Sequence, residues 1–269
     1  VFLQYLLGLV GNVSLPDGTV VDGANAAKVL MHDVYWNYPV EESDGIFASV
    51  ASAAFDKILG GIGDVDVTKL VGAFERGAEE GRLIAWMRND DEQNAIKETG
   101  IDASLPDPDD PSADPVAGVY FNNLSFSKLD WYLNADTQIG QGVKNGDGTC
   151  SYRITVTLTN IMTQEEAGKL PDYVAASAPD AARDDERLNV SLFAPTGGNI
   201  SDLTVEGTQF GLGAATWHGI PFYSGTVDLH AGETTTITYT LTTSAEAGDK
   251  PLTLRQTPTC QAARDSASA

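Results

Sequence analysis

Residues 234–241, TTTITYTL, alternate threonine with larger side chains and decide how the second half of the chain is interpreted. Successive side chains of a β-strand point to opposite faces, so such a strand has one polar and one apolar face. Threonine, isoleucine and tyrosine are also common in strands because branched and aromatic side chains pack well on a pleated surface. The pattern predicts a strand of an antiparallel sheet with one face toward water.

Other segments of the second half have the same two-residue period. Residues 130–139 and 152–159 flank the sequence KNGDG at 144–148, which predicts a β-hairpin because glycine readily adopts positive φ. Further strands are predicted at residues 188–193, 203–205, 222–229 and 252–255. Seven or eight short strands separated by Gly- and Pro-rich turns are typical of an immunoglobulin-like sandwich.

The first part of the chain has a different period. Before about residue 125, apolar residues recur every three or four positions, which is the spacing of one face of a helix. Helices are predicted over residues 27–38, 46–58 and 70–78, the last with Asp66 as its N-cap. Short strands are predicted at residues 13–15, 19–21, 83–87 and 117–121.

The two periods predict an α+β protein of two domains. Residues 1–125 form a helical and short-strand domain, and residues 126–269 form an immunoglobulin-like antiparallel β-sandwich with a frayed C-terminal tail. The chain begins at Val1 without an initiator methionine or a signal peptide. We therefore expect the first domain to be truncated at its N-terminus.

The chain is strongly acidic. Sixteen basic and 38 acidic side chains give a formal charge of −22 at pH 7. This field repels a polyphosphate backbone, so binding to nucleic acid is not expected. No apolar run approaches the roughly 20 residues of a membrane helix. Attachment to a membrane is therefore expected only through a segment missing upstream.

One acidic segment, LPDPDDPSADP at residues 105–115, combines carboxylates with prolines. Carboxylates are calcium ligands, but the spacing of a calcium-binding loop is missing. Proline prevents regular pairing and like charges repel one another, so a solvated loop is predicted. No metal and no cofactor are expected.

The two cysteines, Cys150 and Cys260, indicate the cellular compartment. Cys150 opens the alternating run 152–158, and Cys260 follows the run 252–255. If these runs are antiparallel neighbours, the two thiols come within bridging distance. A bond closing about 110 residues would stabilise the fold by about 4–5 kcal/mol. The sequence predicts this disulfide and an extracytoplasmic setting; two buried thiols are the alternative.

Motifs for catalysis are scarce. The three histidines, His32, His218 and His230, have no metal-ligand spacing. His32 is followed by Asp33, but adjacent helical residues point in different directions, so no catalytic dyad is predicted. Residues 125–128, SFSK, match the S-x-x-K pattern of penicillin-recognising enzymes, whose partner motifs are missing. We interpret this match as coincidence.

Aromatic residues offer a candidate binding site. Trp131, Trp217 and Tyr223 lie in the β half and could form a platform on which sugar rings stack. For this, two of the three must be exposed and coplanar. The favoured alternative is that alternate members of this set face the core of the sandwich.

A set of short motifs is spread over nearly the whole chain. They are YLLxL at 5–9, VxLPDG at 13–18, NA at 25–26, LMHDVY at 30–35, EGRL at 80–83 with Trp86, GVYFNN at 118–123, SKLDWY at 127–132 and TVTLTN at 155–160. Together they resemble the family known as domain of unknown function 4012 (DUF-4012), which is common in actinobacterial cell-envelope proteins. The resemblance implies an extracytoplasmic, cell-surface protein, anchored to the membrane through an upstream helix.

The first half is also distantly similar to LytR-CpsA-Psr domains, which transfer glycopolymers from polyprenyl pyrophosphate. The similarity lies in a hydrophobic helix, a short hairpin, a helix opened by DGxNA at 22–26, and a longer helix. That class holds the pyrophosphate with arginines in and after the second helix. Residues 32–47 contain no Lys or Arg here, so the charge of a pyrophosphate would stay uncompensated.

Function is therefore predicted only at the level of class. The leading hypothesis is a non-catalytic surface or binding module of the cell envelope, whose partner is a cell-wall glycan or an envelope protein. One alternative is a LytR-CpsA-Psr-related enzyme of glycopolymer attachment, which an upstream sequence with several arginines converging on a cleft of the first half would favour. The other is a carbohydrate-binding sandwich.

Overall fold

A computed structural model describes residues 1–60, 66–97, 99, 101–102, 106–206, 212–261 and 266–267. The chain divides into two compact units. The helical unit comprises Val1–Ser104 with Pro171–Val174, and the sheet unit comprises Leu105–Leu170 with Ala175–Ala269. Helices and mainly antiparallel sheets are both present, which confirms the α+β class.

The helical unit is built from short helices and one small hairpin. Its elements are α1 (Phe2–Val10), β1 (Val13–Ser14), β2 (Val20–Val21), α2 (Ala26–Lys28), a π-helical turn (Val29–Asp33), α3 (Val34–Asn37), α4 (Val40–Gly60), α5 (Val67–Glu79) and α6 (Asp90–Lys97). Its core contains Leu7, Val13, Val21, Val34 and Val50, contributed by the three helices α1, α3 and α4 and by the hairpin. No described helix is long and apolar enough to cross a membrane.

Most local predictions for this unit are confirmed. Val13 pairs with Val21 around the turn at Gly18, whose φ is +89°. Asp66 caps α5 by accepting hydrogen bonds from the backbone of Thr68 and Lys69. The predicted buried strand at 83–87 is wrong: these residues belong to no strand, and Ile84 is 65% exposed. A short apolar run does not by itself supply the partner strand that a ladder requires.

The sheet unit contains eleven described strands. They are β3 (Val116–Asn123), β4 (Leu133–Ile139), β5 (Val143–Lys144), β6 (Cys150–Asn160), β7 (Glu186–Phe193), β8 (Asn199–Glu206), β9 (Gly213–Trp217), β10 (Ile220–Leu229), β11 (Thr234–Thr242), β12 (Thr253–Gln256) and β13 (Ser266–Ala267). A 3₁₀ turn (Leu129–Tyr132) precedes β4, and α7 (Gln164–Ala167) follows β6.

These strands form two sheets. The five-stranded sheet has the order β12-β3-β7-β10-β9, and the six-stranded sheet has the order β13-β4-β6-β11-β8, with β5 added beside β6. Pairing is antiparallel except for β12 with β3 and β13 with β4. Apolar side chains of both sheets, among them Val119, Leu192, Val156 and Ile237, belong to one core cluster.

The alternation in β11 is confirmed: Thr235, Ile237, Tyr239 and Leu241 are buried, and the residues between them are more exposed. The hairpin at KNGDG is confirmed as well, since Lys144 pairs with Cys150. Within the segment that the sequence predicts as a frayed tail, Ser266–Ala267 pairs with β4, and the frayed tail as a whole stays a prediction. Leu105 and residues 262–265 and 268–269, which belong to the predicted loop and tail, lie outside the described residues.

Strand β3 shows how far pairing departs from chain order. It lies before the predicted boundary at residue 125, yet it pairs with β7 and β12 inside the five-stranded sheet. The register pairs Gly118 with Phe193, 75 residues further along the chain, and Val116 with Thr253, 137 residues further along. The limits 1–125 and 126–269 stay a prediction.

The predicted disulfide is not formed, and Cys150 and Cys260 are both thiols. Its premise is wrong, because β6 and β12 belong to different sheets. Gln261, next to Cys260, donates to the Trp131 carbonyl, close to the end of β6 at which Leu133 pairs with Asn160. Cys150 is at the other end of that strand, about 33 Å away at about 3.3 Å per residue. A disulfide requires Cα atoms within about 7 Å.

Candidate binding face

The outward face of the five-stranded sheet carries a row of aromatic rings. Tyr120 of β3, Phe193 of β7 and Phe222 of β10 follow one another across the sheet. The Tyr120 and Phe193 ring centroids are 5.7 Å apart at 72°, and those of Phe193 and Phe222 are 4.7 Å apart and nearly parallel. Trp217 of the edge strand β9 extends the row and is 41% exposed.

Three of these rings, Tyr120, Phe193 and Trp217, border a groove at one end of the sheet, which we call the aromatic groove. It is lined by Pro106, Val116, Gly118, Tyr120, Phe193, Ala194, Trp217 and Ile220 and encloses about 330 Å³ including its open mouth. Gly118 keeps it open, because a Cβ there would lie 2.9 Å from the Tyr120 ring and 3.0 Å from the Phe193 Cβ. The groove is therefore apolar, concave and formed by three neighbouring strands and the edge strand.

Polar groups adjoin the groove on the same face. The hydroxyls of Ser191 and Ser224 are 2.9 Å apart, and Ser224 donates to the Asn189 side-chain oxygen at 3.1 Å. Beyond them, Arg187 donates to Asp228 at 2.7 Å. Along the strands the face thus changes from aromatic to neutral hydrogen-bonding groups and then to an ion pair.

The one ionisable ring of the groove is Tyr120. Burial raises the pKa of its phenol, and the positive charge of Arg255 acts in the opposite direction. Arg255 is placed beside the groove because it pairs with Gly118 across the parallel β12–β3 ladder. The phenol therefore stays protonated near neutral pH and is available as a hydrogen-bonding group.

The structure separates the three aromatic residues that the sequence singled out. Trp217 borders the aromatic groove, whereas Tyr223 of β10 packs against the core on the opposite face of the sheet. Trp131 lies in the 3₁₀ turn before β4, in the other sheet. No platform joins them, and Trp217 instead meets Tyr120 and Phe193, which the sequence analysis missed. Tyr120 and Phe193 alternate with apolar residues along their strands. This pattern gives the strand no polar face, so it does not indicate which side is exposed to solvent.

The helical unit brings together His32 and Asp33, contrary to the prediction. His32 Nδ1 lies 2.8 Å from Asp33 Oδ1, and Lys28 Nζ lies 2.6 Å from the same oxygen. The wider π-helical turn at Val29–Asp33 changes the directions that an α-helix would give these side chains. Burial opposes ionisation of Asp33, but the hydrogen bonds from Lys28 and His32 prevail and lower its pKa. The carboxylate is charge-compensated.

Two arginines of the helical unit converge on a carboxylate. Arg76 and Arg82 both donate to Glu80, which also accepts from the Tyr5 hydroxyl at 2.7 Å. Burial would raise the pKa of Glu80, but hydrogen bonds from these groups lower it to about 2. The two guanidinium groups therefore meet an anion of the chain itself.

Three carboxyl groups cluster near the start of β7. Glu186 is fully buried, and neither of its oxygens has a hydrogen-bond partner among the described residues. Burial raises its pKa well above the usual value, and the charges of Asp130 and Asp185 act in the same direction. Asp185 lies 3.3 Å from His230 Nδ1. In the described part of the chain no group of three or more His, Cys, Asp or Glu residues could hold a metal ion.

The serine of the S-x-x-K match has a structural contact. Ser125 is fully buried, and its hydroxyl accepts a hydrogen bond from the Arg187 backbone at 2.8 Å. This hydroxyl connects the segment after β3 to the start of β7.

Comparison with known proteins adds little. No family model matches the chain, and no curated protein matches it. One solved structure with local similarity is a Legionella pneumophila protein, provisionally described as a nutrient binding protein, at 10% identity and a TM-score of 0.26. The match covers 49% of this chain and 45% of that chain, so less than half of either is compared. A similarity of this size establishes neither a common fold nor a common ligand.

Proposed function

We propose that the chain is a non-catalytic binding module of a bacterial cell envelope and that the aromatic groove is its binding site. The observation that carries this proposal is the groove itself: an open apolar depression on a sheet face, bordered by Trp217, Tyr120 and Phe193. Binding sites for small molecules are typically concave and mostly apolar, with a few polar groups that orient the ligand.

The ligand class that fits best is a neutral glycan. The C–H faces of a pyranose ring pack against aromatic side chains, and its hydroxyls would bond to the polar groups around Ser191 and Ser224. A chain with a formal charge of −22 disfavours anionic ligands by long-range repulsion. A neutral cell-wall oligosaccharide meets both conditions.

The proposal includes three features that rest on the sequence. They are an immunoglobulin-like topology of the two sheets, membership of the family of domain of unknown function 4012, and an extracytoplasmic location. The motifs at residues 30–35, 118–123 and 127–132 support the family, and the paired sheets around one core are compatible with a sandwich.

The alternative of a LytR-CpsA-Psr-related enzyme has less support. The arginines that converge in the helical unit, Arg76 and Arg82, already bind Glu80. A pyrophosphate would have to displace a carboxylate whose pKa is lowered to about 2. Residues 32–47 contribute no cation in compensation.

Isothermal titration calorimetry with a panel of neutral oligosaccharides tests the proposal. We expect Trp217→Ala to weaken binding at least about tenfold, because a half-exposed ring at the groove loses its contact area. Trp86→Ala is the matched control, since Trp86 is 75% exposed and belongs to the helical unit. Absence of binding across the panel, or equal binding by the Trp217 variant, would contradict the proposal.

A further inference from the structure

The outer edge of β9 is open. This strand is last in the order of the five-stranded sheet, and all five of its residues, Gly213–Trp217, are exposed. Its sequence, GAATW, contains no charged residue. Among the described residues no strand pairs with its outer side, so this edge presents backbone donors and acceptors to solvent.

The backbone groups on this edge follow from the turn that leads into β10. His218 and Gly219 both have positive φ, as in a two-residue hairpin turn, and Trp217 pairs with Ile220. In such a hairpin the pair that flanks the turn exchanges hydrogen bonds, and bonded and non-bonded pairs alternate from there. The N–H and C=O groups of Ala214 and Thr216 therefore point away from β10. Pro221, which has no N–H, is opposite Thr216 in a non-bonded pair, as this pattern requires.

Other edges of the two sheets carry features that discourage pairing. Strand β8 has a register shift against β11 between Thr238 and Thr240, and its Asp202 has a φ of 52°. Strand β12 has only four residues, including Arg255. Charges, bulges and short length are the usual protection of a sheet edge. Strand β9 has a continuous register with β10 and no charge or proline.

The edge of β9 is complementary to itself. If two copies pair antiparallel with Ala215 opposite Ala215, Ala214 of each copy bonds to Thr216 of the other, and all the outward backbone groups of both residues are satisfied. Trp217 of each copy is then opposite Gly213 of the other, on the same face. Among the described residues, a Cβ at Gly213 would come within 4 Å of the Ser224 carbonyl oxygen alone, at 3.8 Å, so the space over this glycine can accept an indole ring.

We propose that the chain forms a two-fold symmetric dimer in which β9 pairs with β9 of a second copy and joins the two five-stranded sheets. The symmetry axis is perpendicular to the sheet at Ala215, so both aromatic grooves lie on the same side of the joined sheet. A polymeric ligand could then contact two grooves at once, which raises its overall affinity. The dimer does not depend on what the groove binds.

The salt dependence of this dimer should be opposite to that of an association driven by attraction between charges. Each copy has a formal charge of −22, so long-range repulsion opposes pairing at low salt. The screening length falls from about 10 Å at 0.1 M to about 3 Å at 1 M salt. The dissociation constant should therefore fall at least about fivefold between these two conditions.

Sedimentation velocity of the whole chain at about 1 to 500 µM tests the dimer. Thr216→Pro removes an outward N–H, and proline is tolerated on edge strands where that N–H faces solvent, so the monomer should fold normally. We expect this variant to raise the dissociation constant at least about tenfold, while Thr216→Val, which keeps the N–H, matches the parent chain. A parent chain that stays monomeric throughout in 1 M salt, or a Thr216→Pro variant that dimerises equally, would overturn the proposal.

A second measurement tests the register. In a background of Cys150→Ser and Cys260→Ser, Ala215→Cys places two thiols at the symmetry axis, where oxidised glutathione should convert them to a disulfide between copies. Gly213→Cys is the control, because that position faces Trp217 and not its own equivalent. Crosslinking at 215 but not at 213 supports the register, and the reverse pattern or equal crosslinking would refute it.

Discussion

The buried carboxyl group of Glu186 should make the stability of the sheet unit depend on pH. It lies at the start of β7 with no exposed surface, and its oxygens have no hydrogen-bond partner among the described residues. A charge at this position would be desolvated and repelled by Asp130 and Asp185, so the folded chain keeps Glu186 protonated over a wider pH range than the unfolded chain does.

The sign of the effect follows from proton linkage. Above the usual glutamate value, about 4.3, the unfolded chain releases a proton that the folded chain retains. The folded state then binds more protons, and the free energy of unfolding falls by about 1.4 kcal/mol for each pH unit until the folded pKa is reached.

Glu186→Gln removes this proton without changing the size of the side chain. The difference in unfolding free energy between Glu186→Gln and the parent chain should therefore grow in favour of the variant as the pH rises from 5 toward the folded pKa, by at most about 1.4 kcal/mol per pH unit. Burial also raises the pKa of Asp130 and of Asp185, so the variant keeps a smaller slope of the same sign. Glu80 contributes outside this window, because its pKa is lowered to about 2.

The difference in unfolding free energy can be measured within the sheet unit by urea unfolding at pH 5, 6 and 7. Hydrogen exchange in a peptide covering β7 serves as the readout. Glu206→Gln is the matched control, since Glu206 is an exposed glutamate at the end of β8. A difference between Glu186→Gln and the parent that is constant from pH 5 to pH 7 would refute the reasoning, as would a parent chain that becomes more stable over this range.

Three further predictions concern single residues. Cys150→Ser should change the unfolding free energy by less than about 0.5 kcal/mol, with or without reductant, because no covalent bond is lost. If the substitution costs about 4 kcal/mol when reductant is absent but not when it is present, a disulfide exists and the prediction is wrong. Asp66→Ala should destabilise the helical unit by about 1 kcal/mol in thermal unfolding followed by circular dichroism, since two backbone N–H groups of α5 lose their acceptor, with Asp66→Asn as the conservative control. The ionised Glu80 stabilises the parent chain at pH 5 by at most about 3 kcal/mol, and this contribution is lost as the pH falls from about 4.5 toward 2. Glu80→Gln should lack this contribution, so its unfolding free energy should change less in an acid titration. Equal acid sensitivity of both proteins would contradict this.

The sequence predicted helices, strands and turns well where a few consecutive residues are enough to specify them. The periods of 2 in β11 and of 3.6 in α5, the cap at Asp66 and the hairpin turn at Gly148 are properties of a few consecutive residues. The run at 83–87 failed because a strand also needs a partner. The dyad at His32 and Asp33 was missed because a π-helical turn changes side-chain directions that were derived for an α-helix.

The candidate site was predicted only at Trp217. The groove takes Tyr120 from β3, Phe193 from β7 and Trp217 from β9, which come together only when strands far apart in the chain pair. Tyr223 was in the right strand, but alternation placed it against the core. Which of two neighbouring aromatic residues faces outward depends on where the second sheet packs, and that is not encoded within a strand.

The amino-acid sequence alone determined the acidic charge, the helical and β periods and the positions of most turns, because these depend on composition or on neighbours within about ten residues. Tertiary structure alone decided the strand order, the distance between Cys150 and Cys260, the aromatic groove, the open edge of β9 and the burial of Glu186. The physical reason is that strand pairing and burial are set by contacts between distant segments, whose energies are summed over whole sheets.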